Sequence, residues 1–169
     1  MMKIHTLNLC LALSVIAIPL HVGAHESKTA ASSESTIDES AKAAVVVVDQ
    51  FSKAMKDGDV ASAGKSLADD VLVLENGSAE RSREEYLSGH AISDSAFLKG
   101  SHSEIKHRIA RSDGNLAWVG TESELHATPN GQSLTFRNTE TMVLRRDAGQ
   151  WKIVNIHWSS KAIRPGIGQ

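Results

Sequence analysis

The chain has 169 residues, with 18 Lys and Arg against 20 Asp and Glu and a formal net charge of −2. That length fits one domain, and the near balance of charge gives no basis for nucleic acid as a partner. The single cysteine, Cys10, lies in an N-terminal apolar run, so the rest of the chain is excluded from thiol catalysis, iron–sulfur clusters and cysteine zinc sites.

The first 24 residues have the form of a secretory signal peptide. Lys3 supplies a basic start, Leu7 to Leu20 an apolar core, and Val22-Gly23-Ala24 the small residues of a cleavage site. The apolar run is shorter than the roughly 20 residues of a membrane span, which favours cleavage after Ala24 over anchoring. The expectation is a periplasmic or secreted protein with no membrane association after cleavage. Cleavage removes only Lys3 among the charged residues, leaving 17 basic against 20 acidic, a net charge of −3. The mature chain then has no cysteine, so its core alone must hold it together in an oxidising compartment.

Residues 25–37 read as a flexible leader, small and polar in its first part (HESKTAASSES). Thr36 and Glu39 have capping-box spacing. Ala44, Val48, Phe51 and Met55 follow as one helical stripe, against which the branched run Val45 to Val48 argues for a strand. The stripe and the charged exit predict a helix ending at Gly58. Asp59 can cap a short second helix through about Leu67. Val71 to Glu75 reads as a strand, followed by the Asn76-Gly77 turn. Ser82 and Glu85 form another capping box, opening a helix with Tyr86, Leu87 and, at its end, His90. A further helical turn is expected over Ala96 to Leu98. The remainder reads as sheet, with strands at Ser103–Arg111, Leu116–Ala127, Gln132–Arg146 and Gln150–Ser160. Short glycine-bearing connectors between them favour hairpins. Residues 162–169 read as a loose tail.

Alternation places Trp151, Ile153, Asn155, His157 and Ser159 on one face of the last strand. His157 is the first candidate for chemistry, since imidazole serves as base, acid or metal ligand. His90, at a helix end, and Glu75, at a strand end, would complete a two-histidine, one-carboxylate divalent metal set with it. No local spacing motif supports that set. Glu122, Glu124 and His126 share a strand face that could also offer ligands, and His102 and His107 are weaker candidates. Glu140 lies on the Phe136/Asn138/Met142 face, where burial would raise its pKa and fit it for acid–base work. Arg81 and Arg83 flank a helix start able to hold an anion. No phosphate loop, nucleophile elbow or zinc motif is present.

Three stretches, FSKAMKDGD (Phe51 to Asp59), LADDVLVL (Leu67 to Leu74) and WKIVNIH (Trp151 to His157), together with the element order, carry a family resemblance. The chain resembles the nuclear transport factor 2-like superfamily over about Ser40 to Ser160, and within it the secreted SnoaL-like bacterial proteins. Their recurring E-x-x-x-x-x-R-S-R-x-E-Y and T-E-T-M-V-L-R-R blocks stand here at Glu75 to Tyr86 and Thr139 to Arg146. The resemblance implies an α+β fold over residues 38–161, a cone-shaped curved antiparallel sheet wrapped around N-terminal helices, as in cystatin-like rolls and ketosteroid isomerase. It also implies a homodimer through the outer sheet face and a conical pocket.

Three functions remain open at this stage. The first is a small, partly apolar ligand bound in that pocket by Glu75, Tyr86, His90, Trp118 and Asn155, with Glu140 and His157 able to do isomerase-, cyclase- or lyase-type acid–base chemistry and no cofactor required. The second is a divalent metal on Glu75, His90 and His157. The third is a non-catalytic dimeric assembly module.

Overall fold

A computed structural model describes residues 35–128 and 131–163. The expected signal peptide, most of the expected leader and the last residues of the expected tail lie outside that range, as does part of the Pro129-Asn130-Gly131 connector.

The N-terminal helix α1 (Lys42–Asp57) is made by its stripe: Ala44, Val45, Val48, Phe51 and Met55 are all buried. A helix with one apolar side satisfies its backbone internally and its side chains against the sheet, which overrides the strand preference of four successive valines. Gly58, at φ 84°, ends it with a left-handed cap that a Cβ would oppose. Asp59 caps α2 (Val60–Ser66), its Oδ1 accepting from the Ser62 N–H at 2.9 Å.

Thr36 does not cap α1. Thr36–Ile37 is a two-residue strand, β1, paired parallel with Ile109 and Ala110, and a 3-10 turn (Glu39–Ala41) precedes the helix. The edge of the sheet has unpaired backbone groups, and β1 satisfies some of them. The strand after α2 is also longer than its apolar run: β2 is Leu67–Glu75 and includes Asp69 and Asp70. Asn76 and Gly77, both at positive φ, turn it into a short strand β3 (Ser78–Glu80) that the sequence pattern does not show. The Ser82 cap is present, its Oγ accepting from the Glu85 N–H at 3.0 Å. However, α3 stops at Ser88, and His90 opens α4 (His90–Leu98) rather than closing α3.

Four long strands follow, β4 (His102–Asp113), β5 (Leu116–Ala127), β6 (Leu134–Asp147) and β7 (Gln150–Ile163). They pair antiparallel in sequence, but the whole sheet is mixed: β2 joins β7 parallel, giving the order β1-β4-β5-β6-β7-β2-β3. The helices cross one face of it, and α1 carries Phe51 onto the Trp158 ring at 6.3 Å between centroids.

The pairing registers sort the inner face into rows running across the strands. Ala110, Val119, Met142, Ile156 and Val73 form an apolar row, all of it buried. The next row is Arg108, Thr121, Glu140, Trp158 and Glu75, and beyond it lie Ile105, Ser123, Asn138 and Ser160.

An irregularity in β7 sets its part of these rows. Val143 pairs with Asn155 but Leu144 pairs with Ile153, so Val154 has no partner and makes a bulge. Simple alternation puts Ile153 and His157 on one face. The bulge breaks it, so Ile153 and Ile156 both face the core and His157 lies exposed outside. Two neighbouring truncations test this placement. Ile156→Ala is expected to cost about 2–5 kcal/mol by leaving a core cavity. His157→Ala should stay within about 0.5 kcal/mol. Urea unfolding of both variants reads the difference, and a costly His157→Ala would contradict the register.

Candidate functional site

Between the inner rows and helices α1 and α4 lies a cavity of about 470 Å³, within the usual range for small-molecule sites. Its wall has two polar regions separated by the Trp158 ring.

The first region begins at Arg108, which is buried. Its Nη1 donates to Asp49 Oδ1 on α1 at 2.7 Å and its Nε to Thr121 Oγ1 at 3.1 Å. Thr121 in turn hydrogen-bonds Glu140, whose Oε2 also accepts from Trp158 Nε1 at 2.8 Å. Burial pushes the Glu140 carboxyl above the usual carboxylate range. The hydrogen bonds from Trp158 and Thr121 and the charge of Arg108 oppose that shift without cancelling it. The result is a carboxyl held in one orientation at the cavity wall, with its proton affinity raised and its second oxygen free of a fixed charge partner, as a general acid or base requires. Next to it the Asn138 side chain lines the cavity with its Oδ1 buried and unbonded among the described residues.

The second region lies across Trp158. Glu75 pairs with Trp158 on the opposite side from Glu140, and Asp94 reaches the cavity from α4. Burial raises both carboxyls; Asp94 and Glu80 add to this at Glu75 and Glu80 at Asp94, while the His90 charge at both and the Tyr86 hydrogen bond at Asp94 oppose it without cancelling it. The Tyr86 hydroxyl donates to Asp94 Oδ2 at 3.3 Å. Behind them the buried Glu80 pairs with His90 Nδ1, leaving Glu80 Oε2 without a partner among the described residues.

The structure thus distributes the sequence-predicted residues unevenly. Glu75 and Glu140 line the cavity. Tyr86 is fully buried behind the wall, its ring 6.3 Å from Trp158, and His90 sits behind it on Glu80. Trp118 stands on the outer face, 42% exposed, folded over Gly120. Asn155 spends its amide on the Leu72 carbonyl at 3.0 Å beside the bulge. His157 is outside, so it can neither share the cavity with Glu140 nor meet Glu75 and His90 at a metal, because Glu75 and His157 are on opposite faces of the sheet. The carboxylate–histidine atoms that do converge, within 4.8 Å of one another, belong to Glu104, Glu124 and His126 on the β4–β5 outer face. Those residues could hold a metal, though the Lys106 ammonium already bridges the two carboxylates at 2.7 and 3.5 Å. Asp49, Asp94, Arg108, Thr121 and Trp158 were not read as site residues from the sequence. For the strand residues the signal is the cross-strand register with Glu140, which needs the hairpins first.

A family model described as a SnoaL-like domain matches residues 45–163. This chain belongs to the SnoaL-like family. No curated protein matches it. Among solved structures it is similar to a "putative ketosteroid isomerase" from Shewanella frigidimarina NCIMB 400, with 34% identity and a TM-score of 0.67 over 74% of this chain and all of that one. It is also similar to a ketosteroid isomerase-like protein from Erwinia carotovora atroseptica SCRI1043 (20% identity, TM-score 0.61, 76% and 99% covered). A nuclear transport factor 2-like protein of unknown function from Pseudomonas putida KT2440 is a third (18%, TM-score 0.60, 76% and 96%). The last two likenesses speak to the fold, which is the cystatin-like roll. In this SnoaL-like chain, as elsewhere, the fold does not name the reaction, and the cavity residues must.

A carboxyl whose pKa folding raises holds its proton more tightly folded than unfolded. Its contribution to stability is therefore present at low pH and falls as pH rises from the ordinary carboxylate range through the folded value. Glu140→Gln keeps a hydrogen-bond acceptor for Trp158 and removes that loss. The variant should gain stability over the parent at about pH 8 relative to about pH 4.5, read by urea unfolding at both. A stability difference independent of pH would mean that Glu140 ionises freely.

Proposed function

We propose that this protein is exported and binds a small, partly apolar molecule in its conical cavity, with Glu140 as the acid–base group. The observation that carries this reading is the combination at one wall of a largely apolar cavity with a carboxyl of raised proton affinity, oriented by Trp158 and Thr121. Purely structural packing would leave neither the cavity nor the unbonded Asn138 acceptor beside it. Arg108 is answered by Asp49, so it orients Thr121 without adding net charge to the space. If chemistry occurs, Glu140 takes or gives the proton, and an isomerase-, cyclase- or lyase-type step fits it. His157 has no part in it.

Ser123 lies in the row between Glu140 and the mouth. A Ser123→Trp side chain would fill much of the cavity from a strand position that tolerates aromatics. Native mass spectrometry of the periplasmically expressed protein should show added mass that is lost on denaturation, and Ser123→Trp should remove it. Added mass retained in that variant would place the ligand elsewhere.

The outer face supports a dimer of the kind the fold favours. Trp118 stands there opposite the half-buried Val143, with Ile109 diagonal to it on β4 and Leu72 and Leu74 on the same face two strands beyond Val143. An exposed tryptophan on a sheet face that also carries aliphatic side chains has the composition of an interface anchor. Trp118→Glu should raise the dimer dissociation constant about 30-fold or more by sedimentation. A dimer unaffected by that change would have to use another surface.

A further inference from the structure

The cavity's charges are not balanced. On the cavity side α1 presents Asp49, Lys53 and Lys56, β2 presents Glu75, α4 Asp94, β4 Arg108 and β6 Glu140. Asp49 and Arg108 cancel at 2.7 Å. Lys53 is 76% exposed and pairs outward with Asp57. Three carboxyls remain, against the single half-buried ammonium of Lys56. The groups behind Glu75 and Asp94 redress this only in part: Glu80 is another acid, Tyr86 is neutral, and His90, paired with Glu80, opposes the burial of both carboxyls without cancelling it.

We propose that the cavity selects a ligand bearing a protonated amine, with the ammonium between Glu75 and Asp94 and the apolar body along Trp158 and Phe51; this rests on the small-molecule reading above. Both carboxyls have unused lone pairs. Asp94 Oδ2 is bonded by Tyr86 at 3.3 Å, and among the described residues Glu75 has only the 3.4 Å contact from Asn76. An ammonium carries three donors and no acceptor, so it can satisfy both. Trp158 stands between Glu75 and Glu140 in the same row. Its N–H donates to Glu140, which enriches the indole that would face a cation. Burial penalises the ionised forms of Glu75 and Asp94 in the empty cavity. A bound cation offsets that penalty, whereas an anion meets it undiminished.

Three probes with one skeleton separate charge from shape: 4-phenylbutylamine, 4-phenylbutan-1-ol and 4-phenylbutanoate. Titration calorimetry on the purified protein at about pH 8, where imidazoles are neutral and alkylamines protonated, isolates the carboxyls. The amine should bind at least about tenfold more tightly than the alcohol, and the carboxylate most weakly. In Glu75→Gln/Asp94→Asn the amine's advantage over the alcohol should fall to within about twofold; Asp94→Asn alone serves if the double variant does not fold, and should lose about half of that advantage on a logarithmic scale. Alcohol binding as tight as the amine would overturn the proposed selectivity and leave the small-molecule reading standing. An amine preference that survives both variants would also overturn it. Binding of none of the three would take the small-molecule reading down as well.

Discussion

The unpaired Val154 is the constraint on which the inner face depends. In a strand of period two, one inserted residue exchanges every side chain beyond it between the faces. Upstream of the bulge Trp151 and Ile153 fill the core, and downstream Ile156, Trp158 and Ser160 take up the same side. Without the bulge, His157 and Ser159 would point inward, and Trp158 would be turned away from Phe51, Tyr86 and Glu140. The bulge therefore decides that the cavity is walled by an indole and carboxyls instead of an imidazole. Lys106 does similar work at the edge: Ile105 and Arg108, three residues apart, both face inward because Lys106 has no partner on β5.

The second dependence is electrostatic. Arg108 is a buried cation, which is costly unless it is paired and its donors satisfied. Asp49 from α1 and Thr121 from β5 meet that need. The pair ties the first helix to the sheet through a charge contact at the cavity wall. It also leaves Glu140 near a neutralised arginine, so that burial and not an ion pair governs its proton affinity. A free arginine in that place would have held Glu140 ionised and unfit to give up a proton.

How far the sequence was legible follows the range of the signal. Local signals served well: the α1 stripe, the Asp59 and Ser82 caps and the long hairpin strands are read from spacing within a few residues. The Asp147-Ala148-Gly149 connector makes a two-residue turn, Ala148 taking positive φ despite its Cβ. Signals that depend on pairing partners failed. Thr36 has cap chemistry, but the open edge of β4 takes the chain as a strand. His90 has a helix before it in sequence, but Gly89 breaks that helix and starts another, so the favourable electrostatics expected at a C-terminus do not apply. Glu140 was legible because its strand is regular there and alternation alone places it inward. His157 was not, because a bulge leaves no mark in one strand's residues; it exists only in the comparison with β6.

The inner rows form a gradient, and the gradient constrains what a ligand can be. The buried Ala110–Val73 row offers nothing polar, the Arg108–Glu75 row offers oriented carboxyls, and the Ile105–Ser160 row offers hydroxyls and an amide. A molecule entering from the mouth meets groups that bond weakly to many partners before it meets groups that discriminate by charge. The apolar row stops it there, since a polar group pushed deeper would lose its hydrogen bonds to water and gain none. Binding depth is thus set by the floor, orientation by the carboxyl row, and the reacting atom, if there is one, must lie at the height of Glu140. That height is also where Trp158 contacts Phe51 and Tyr86. The discriminating row therefore meets the helices through Trp158, and a ligand that displaced the indole would also have to move Phe51 and Tyr86.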